Sequence, residues 1–472
     1  MKSIGNEMDG ASIGNTRRHF NASRALYRLS NNIGMAFSAA VQDDCRQAVA
    51  RTFGDPNVDL SGVTKGHIAN TLQRARELSE IGKPILIAQD TTGLNYTTQK
   101  QKEGIGPIGS KGSGYLSHSA LMLSPRGLPL GVVSNTIWSR STTELSSVFF
   151  ANSSVKNMAE NLLCPEAKES LRWTDTVQNV QSILPADLSF LFIQDREADI
   201  FEFLAQPRRE SVHLLVRAAQ PRTVIVEING VKSTQSTLLV AARGAEVLGT
   251  LKIDVPRKAD SAARVAELSV RVCQCKVQPP RYWSAAKKVE YGEILISVIS
   301  VREENPPVGK DPIDWTLLST TPIMTFEEAV QVVKYYTYRW RIERLHYGLK
   351  SGLHIEDLQF MEFQTMCNII GLYYITAWYV MLLAYIAREE GESAAVNWLD
   401  EDQLTILELS EGKPITTVKE AVTAVAVLGG YTSYKNSPPP GLKVIWDGLR
   451  ALHQRMVVFE LLRDNPDRLK RN

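Results

Sequence analysis

Hydrophobic positions along the chain follow two different periods, and the changes of period mark out its segments. Up to about residue 75 the apolar positions sit at helical spacing in a polar background. In TRRHFNASRALYRLSNNIGMAFSAAVQDD, Leu26, Tyr27, Leu29 and Ile33 supply the apolar positions, and Asn21 or Ser23 is placed to cap. From about 84 the runs become short and strand-like: PILIAQD, then YLSHSALMLSP, then LPLGVVSNTIW, with Gly and Pro between the last two. A mostly helical region from about 142 to 182 leads to LSFLFIQD, which ends at Asp195, and then to VHLLVRAA at 212–219. Strands joined through a helical connection predict a sheet with parallel members.

Between about 222 and 322 no helix is expected. TVIVEI, STLLVA, GTLKIDV, ELSVRVCQCKV, EILISVISV and DWTLLST read as successive strands, an all-β insertion. A helix then begins near 325, with Thr325 as N-cap and Glu327 and Glu328 in the first turn, where negative charge is favourable. Gly352 falls near its end, and 360–472 reads as mainly helical, interrupted by SPPPG at 437–441. A chain of 472 residues exceeds what one core organises. The expected fold is α/β: a mixed-sheet core with an all-β insertion at about 222–322, flanked by helical N- and C-terminal domains. Its divisions are 1–75, 76–365 and 366–472.

Composition narrows the function. The hydrophobic share of 44% and charged share of 22% are those of a folded globular protein. A net charge of +2 excludes a uniformly basic coat for nucleic acid, so cationic surface must be local. One candidate is the first helix, with Arg17, Arg18, Arg24 and Arg28. Another is the insertion, where Arg257, Lys258, Arg264, Arg271, Lys276, Arg281, Lys287 and Lys288 interleave with Tyr282 and Trp283. Such mixtures neutralise phosphate and stack on bases, but a solvated helix face and lysines that block edge pairing have the same composition.

The cysteines, Cys45, Cys164, Cys273, Cys275 and Cys367, form neither a disulfide framework nor a zinc motif, which fits a reducing cytoplasm. Cys273 and Cys275 alternate on one side of a strand and read as structural. No secretion signal opens the sequence. Ile369 to Ala387 is uncharged and long enough to span a bilayer, yet its Tyr and Trp residues are spread along its length and Asn368 and Thr376 are polar. A buried core helix is expected, with no membrane partner.

Asp90 and Asp195 each end a strongly apolar strand, where loops leave room for substrate and ions; either alone is also an ordinary turn residue. Tyr336, Arg339, Glu343 and Lys350 fall within an arc of roughly 60° on an ideal helix. An ion-paired surface stripe has that spacing too. Glu343 as a third hard oxygen ligand beside Asp90 and Asp195 gives a set suited to two divalent ions about 4 Å apart, the arrangement of phosphodiester chemistry. Magnesium, with manganese as substitute, is the expected metal, since His and Cys lack zinc spacing. His346 is expected to pack or to contact phosphate.

These residues resemble the bacterial cut-and-paste DDE transposases of the insertion-sequence-four group. QDTT at 89–92 is similar to the first-Asp motif and QDREAD at 194–199 to the second. YTYRWRIERLHYGLK at 336–350 keeps the Tyr-x2-Arg-x3-Glu-x6-Lys signature, although Gly348 within it and Arg344 and Leu345 beside Glu343 depart from the pattern. The resemblance implies a ribonuclease-H-like core with Asp90, Asp195 and Glu343 as metal ligands. It further implies that Tyr336, Arg339 and Lys350 contact the DNA backbone near the cleaved end, with Arg217 grouped among the DNA contacts. Trp315 is implied to accommodate a flipped base, against the alternative of a core aromatic. Arg17 and Arg18 are implied to help recognise transposon ends, and LGGYTSYKNS with the helix beyond it to dimerise.

The implied reaction is hydrolysis to free a 3′-hydroxyl, hairpin formation on the opposite strand, hairpin hydrolysis and strand transfer. The implied partners are transposon-end double-stranded DNA, target DNA and a second subunit in a synaptic complex, on the nucleoid of a bacterial cytoplasm. A branch-cutting nuclease of the same fold, a non-catalytic DNA-binding regulator and a membrane-anchored protein are the competing readings.

Overall fold

The computed structural model describes residues 4–41, 43–109, 112–140, 169–228, 231–255, 264–434 and 437–464. The first helix, α1 (Thr16–Asn31), is capped by Asn15 rather than by Asn21 or Ser23; the Asn15 side chain accepts the Arg18 amide at 3.0 Å. The helix therefore starts one to two turns before the position its apolar spacing suggested, because the polar turn TRRHF is held by the cap. α2 (Phe37–Val41), α3 (Asp43–Phe53) and α4 (Leu60–Glu77) follow, the last capped by Asp59 on the Gly62 amide at 2.7 Å.

Four strands come next, β1 (Ile85–Asn95), β2 (Gly106–Pro107), β3 (Ser113–Leu123) and β4 (Pro129–Trp138). Of the helical region expected at 142–182, α5 (Leu171–Ile183) is described and 142–168 lies outside the described residues. β5 (Phe190–Gln194), α6 (Phe201–Ala205) and β6 (Val212–Arg217) complete this part.

The insertion contains β7 (Thr223–Ile228), β8 (Val231–Thr237), α7 (Leu238–Gly244), β9 (Val247–Val255), β10 (Arg264–Val277), α8 (Ala285–Tyr291), β11 (Ile294–Glu303) and β12 (Asp314–Ser319). It is therefore not all β. STLLVA turns helical at Leu238, where Leu238 and Ala242, one turn apart, are buried while Leu239 and Val240 remain exposed. Leu and Ala are good helix formers, and local propensity wins over the strand-like apolar run.

α9 (Phe326–Tyr338) begins with a reciprocal cap: Thr325 accepts the Glu328 amide at 3.2 Å and Glu328 accepts the Thr325 amide at 3.1 Å. α10 (Trp340–Tyr347) leads into a wide turn at Gly348–Gly352, and α11 (Phe363–Glu389), α12 (Glu401–Glu411), α13 (Val418–Leu428) and α14 (Leu442–Asp464) follow.

The chain gathers into two compact units, each discontinuous in sequence. The sheet unit comprises Ser79–Asp90 and Glu160–Trp340; the helical unit comprises Met1–Leu78, Thr91–Ala159 and Arg341–Asn472. In the sheet unit the strand order is β1–β5–β6–β12–β11–β10–β7–β8, with β9 also paired to β10. β1, β5 and β6 are mutually parallel and the later pairings are antiparallel, so this is a mixed α/β sheet. The first three strands read as continuous apolar runs because helix-connected parallel strands are buried on both faces.

In the helical unit, β3 pairs antiparallel with β4, and α11 is the core helix. α11 is long and apolar enough to cross a membrane, but 94% of its most hydropathic window is buried inside the structure. Its polar residues are satisfied there. Asn368 donates to Phe53 O and Val58 O, both at 2.8 Å, Thr376 to Leu372 O at 2.9 Å, and Trp378 to Pro129 O at 3.1 Å.

A buried ionic network ties the N-terminal residues to this core. Glu7 pairs with Arg74 at 2.7 Å and accepts Nδ1–H of His67 at 2.5 Å. The Val132 amide donates to Nε2 of His67 at 2.9 Å, so the ring is the neutral tautomer and Arg74 balances the Glu7 charge. Burial alone would raise the Glu7 carboxyl, but the His67 hydrogen bond and the Arg74 charge outweigh it and hold the group near 2.

Candidate functional site

Of the two acids singled out in the sequence, Asp195 follows the end of β5, whereas Asp90 lies inside β1, which runs on to Asn95 although its pairing with β5 stops at Ala88. β1 pairs Ala88 with Ile193 of β5, and β5 pairs Gln194 with Val216 of β6. Continued by one or two residues, this register sets Asp90 level with Asp195 and Asp195 level with Arg217. Adjacent strands lie about 4.8 Å apart, and side chains at one level of a parallel sheet leave by the same face. Two carboxylates and a guanidinium thus stand level across β1, β5 and β6, at the C-terminal ends of β5 and β6, where ligands commonly bind in sheets of this kind. All three residues are half-buried. Asp195 also caps the short turn Arg196–Ala198, accepting the Glu197 amide at 2.8 Å.

An aromatic pair shares that face. β12 places Leu317 opposite Arg217, so Trp315, two residues earlier, projects on the same side one level further out. Tyr336 of α9 meets Trp315 edge to face, with ring centroids 5.8 Å apart. Trp315 is half-buried and Tyr336 buried.

Other residues of the sequence motifs belong to the helical unit. Thr91, the residue after Asp90, is hydrogen-bonded through Oγ1 to Nδ1 of His118 on β3 at 2.8 Å. The next residue of β3, Ser119, is hydrogen-bonded through Oγ to Nε2 of His346 at 3.0 Å. His346 lies on α10, three residues after Glu343, which is half-buried. Burial, with the Lys350 charge behind it, pushes the His346 imidazole down to about 3, so it is a neutral packing group. Lys350, in the wide turn, lies 3.8 Å from the Glu356 carboxylate.

The signature stretch is not one helix. At Arg339 the backbone closes on Tyr336 O at 3.1 Å, a three-residue rather than four-residue bond, and at the far end Leu353 bonds back five residues to Gly348 O at 2.9 Å. Tyr336 and Arg339 belong to the sheet unit, Glu343 and Lys350 to the helical unit. The 60° arc was drawn at 100° per residue for an unbroken helix, which this stretch is not. Gly348 and Gly352, poor helix formers, mark the wide turn; nothing in the sequence marks Arg339.

Among the described residues no three His, Cys, Asp or Glu side chains are gathered as a metal-binding group. The Asp90–Asp195 row nevertheless has the donor chemistry of a magnesium-type site: hard carboxylate oxygens at an open strand edge, without thiol or imidazole.

The basic stretches are less available than their composition suggested. Arg17 is exposed, but Arg18 is ion-paired with Asp55 and Arg28 donates to Val41 O. In the insertion, Arg264 is paired with Glu303, Arg271 with Glu304 at 2.8 Å, and Lys287 with Glu202 at 2.9 Å. Lys287 also covers Trp283, 3.7 Å from the ring centre, and Trp283 is only 7% exposed, so it offers no stacking face. Tyr282 is 77% exposed, and Arg257 and Lys258 lie outside the described residues. The thiols of Cys273, Cys275 and Cys367 are pushed up by burial to about 11, 12 and 12, which keeps them protonated and structural.

Sequence reasoning missed Asp199, the second aspartate of QDREAD. Its fully buried carboxylate accepts the Ala219 and Gln220 amides at 2.7 Å each and the Arg222 Nε–H at 2.8 Å, fixing the corner between β6 and β7. A paired Asp four residues after the first was the available signal, but its partners lie some twenty residues away.

No protein-family model matches the sequence. Among solved structures the chain is similar to the piggyBac transposase synaptic complex with hairpin DNA, determined by cryo-EM. The identity is 9%, the TM-score is 0.35, and the match covers 96% of this chain and 76% of that chain. At that TM-score the likeness assigns no residue a role.

Proposed function

We propose that this chain is a DDE-type DNA transposase that binds transposon ends and moves them by metal-dependent strand cleavage, hairpin formation and resolution, and strand transfer. The observation that carries this reading is the row of Asp90, Asp195 and Arg217 on three neighbouring parallel strands. The QDTT, QDREAD and Tyr-Arg-Glu-Lys motifs support it, and the mixed sheet agrees with a ribonuclease-H-like core. Asp90 and Asp195 would hold magnesium or manganese, with Glu343 as the third carboxylate. Two such ions, when bound, lower the barrier to attack on phosphorus and stabilise the leaving oxygen.

The remaining roles follow from the side chains. Arg217, beside Asp195, neutralises a phosphate at the strand edge, and Arg339 and Lys350 serve backbone phosphates flanking it. Trp315, backed by Tyr336, is a rigid aromatic surface on which a flipped base can stack. Arg17, exposed at the start of α1, suits end recognition; Arg18 must first leave Asp55 to join it. A homodimer in the synaptic complex and a cytoplasmic, nucleoid-associated location complete the proposal.

The test uses the DNA flanking the gene, where short inverted repeats are expected. Incubated with those ends and Mg²⁺ or Mn²⁺, the parent chain is expected to give hairpin and joined products. Glu343→Ala is expected to give neither while still binding the ends. Equal product from the variant, or cleavage by the parent in excess chelator, would defeat the proposal.

A further inference from the structure

We infer that the buried hydrogen bond between Ser119 and His346 is a positioning device for Glu343, setting the rotation of α10 and with it the direction of the carboxylate. The inference rests on the proposed metal-binding role of Glu343 and adds to it two residues that no motif of the chain singles out for chemistry. α10 spans only Trp340–Tyr347, bounded by the tightened bond at Arg339 and the wide turn at Gly348–Gly352. So short a helix, without regular continuation at either end, takes its rotation from what its side chains meet.

Four side chains of α10 are buried, and one of them, Arg341 at its first turn, pairs with Glu389 at 3.4 Å and lies over the Tyr385 ring. Ile342 and Leu345 are apolar and tolerate small rotations, since apolar contact is non-directional. His346 is different: Nε2 and Ser119 Oγ are 3.0 Å apart, both residues buried, and turning the helix by one position would leave both polar groups without this partner. The ring is also fixed from the side. It meets Tyr374 of α11 at 88°, and the Tyr374 hydroxyl is hydrogen-bonded to Ser117 Oγ at 2.8 Å, which in turn donates to Asn135 at 2.7 Å. Ser117 and Ser119 lie on the same face of β3, so one strand holds the ring by two routes.

β3 also holds a second segment of the helical unit: His118, between the two serines, is hydrogen-bonded to Thr91. Successive residues of a single strand thus hold Thr91 and the helix that carries Glu343. An ordinary satisfied core histidine would account for the hydrogen bond but would leave metal affinity unaffected by its loss.

The experiment measures Mn²⁺ binding to the full chain by electron paramagnetic resonance, with Mn²⁺ alone as the probe, together with thermal unfolding. Glu343→Gln is the reference variant. His346→Leu is expected to weaken Mn²⁺ binding about tenfold, as loss of an outer hydrogen bond does at metal sites. Ser119→Ala is expected to weaken it in the same direction. His346→Gln, whose amide reaches the Nε2 position, is expected to stay within about twofold of the parent, following the same logic. Should His346→Leu fail to fold, Ser119→Ala and His346→Gln carry the comparison.

If Glu343→Gln weakens binding while Ser119→Ala and any folded His346 variant bind as the parent does, the positioning role is refuted and the carboxylate reading stands. Weakening by His346→Gln equal to that by His346→Leu would also refute it, since shape and not the hydrogen bond would then matter. A parent that binds no Mn²⁺, or a Glu343→Gln that binds it unchanged, would overturn the carboxylate reading and this inference with it.

Discussion

Changing Asp to Asn at 195 and at 199 separates the two aspartates of a single motif by one isosteric step. At Asp199 the carboxylate is fully buried, takes two backbone amides at 2.7 Å, and faces an Arg222 guanidinium that is itself 9% exposed. An amide in its place presents an NH₂ to groups that are all donors, and Arg222 keeps a buried charge without its counter-ion. Removing one partner of such a pair costs about 3–5 kcal/mol. At roughly 2–4 °C per kcal/mol for a domain of this size, the unfolding midpoint should fall by about 10 °C.

Asp195 offers a contrast. It is half-buried, its cap on the Glu197 amide survives as an amide oxygen, and the change removes a negative charge level with Asp90. Asp195→Asn should unfold within about 2 °C of the parent or above it, given that a retained cap costs little. Scanning calorimetry, with proteolysis near the Ala219–Arg222 corner as a local readout, decides between the two. If Asp199→Asn melts with the parent, or if Asp195→Asn falls as far as Asp199→Asn, the division into structural and exposed acids is wrong.

Acid unfolding should carry the signature of Glu7. Its carboxyl is held from 4.5 down to about 2, so its contribution is complete above pH 4.5 and is lost as pH falls through 2. That contribution is about 3 kcal/mol, and Glu7→Gln should flatten the corresponding part of a stability-against-pH curve measured in urea. Parallel curves for the two chains would contradict it. Asn368→Leu should cost about 2–4 kcal/mol in the same measurement, because the Phe53 and Val58 carbonyls both lose a donor at 2.8 Å. Native chain treated with iodoacetamide at pH 8 should stay unmodified at Cys273, Cys275 and Cys367, whose thiols are raised to about 11, 12 and 12; mass spectrometry showing rapid labelling there would count against their burial.

What could be read from the sequence was what short-range periodicity encodes. PILIAQD and LSFLFIQD were legible as strands because both are apolar runs, but the expectation that each ends at its Asp holds only for β5, since β1 runs past Asp90 to Asn95. Asn368 and Thr376 correctly marked α11 as a core helix, since each polar group has a backbone acceptor inside the structure. Longer-range facts were not legible. Arg18 is engaged by Asp55, Arg264 by Glu303 and Asp199 by Arg222, and each partner lies tens of residues away, so composition overstated the free positive charge. α7 was missed because LLVAARG has too few residues to display a helical period before Gly244 ends it. The compact units are built from two and three separate segments, and no local pattern records where a chain returns.

Stability alone gives no reason to set Asp90 level with Asp195. Like charges level on neighbouring strands are destabilising unless something beside them compensates. Arg217 on the third strand offsets part of this for Asp195 and less for Asp90, one strand further away. Asp199, four residues on, shows how the fold treats an acid it uses for structure: full burial, two amides and a guanidinium. The row is arranged the other way, half-open and with like charges adjacent, a geometry that a bound cation stabilises and an empty one strains. Departures of this kind from local consistency concentrate at functional sites. Here the departure falls on the two acids of the QDTT and QDREAD motifs, which is why the row, more than any single residue, is the place to test the proposed metal-dependent phosphodiester chemistry.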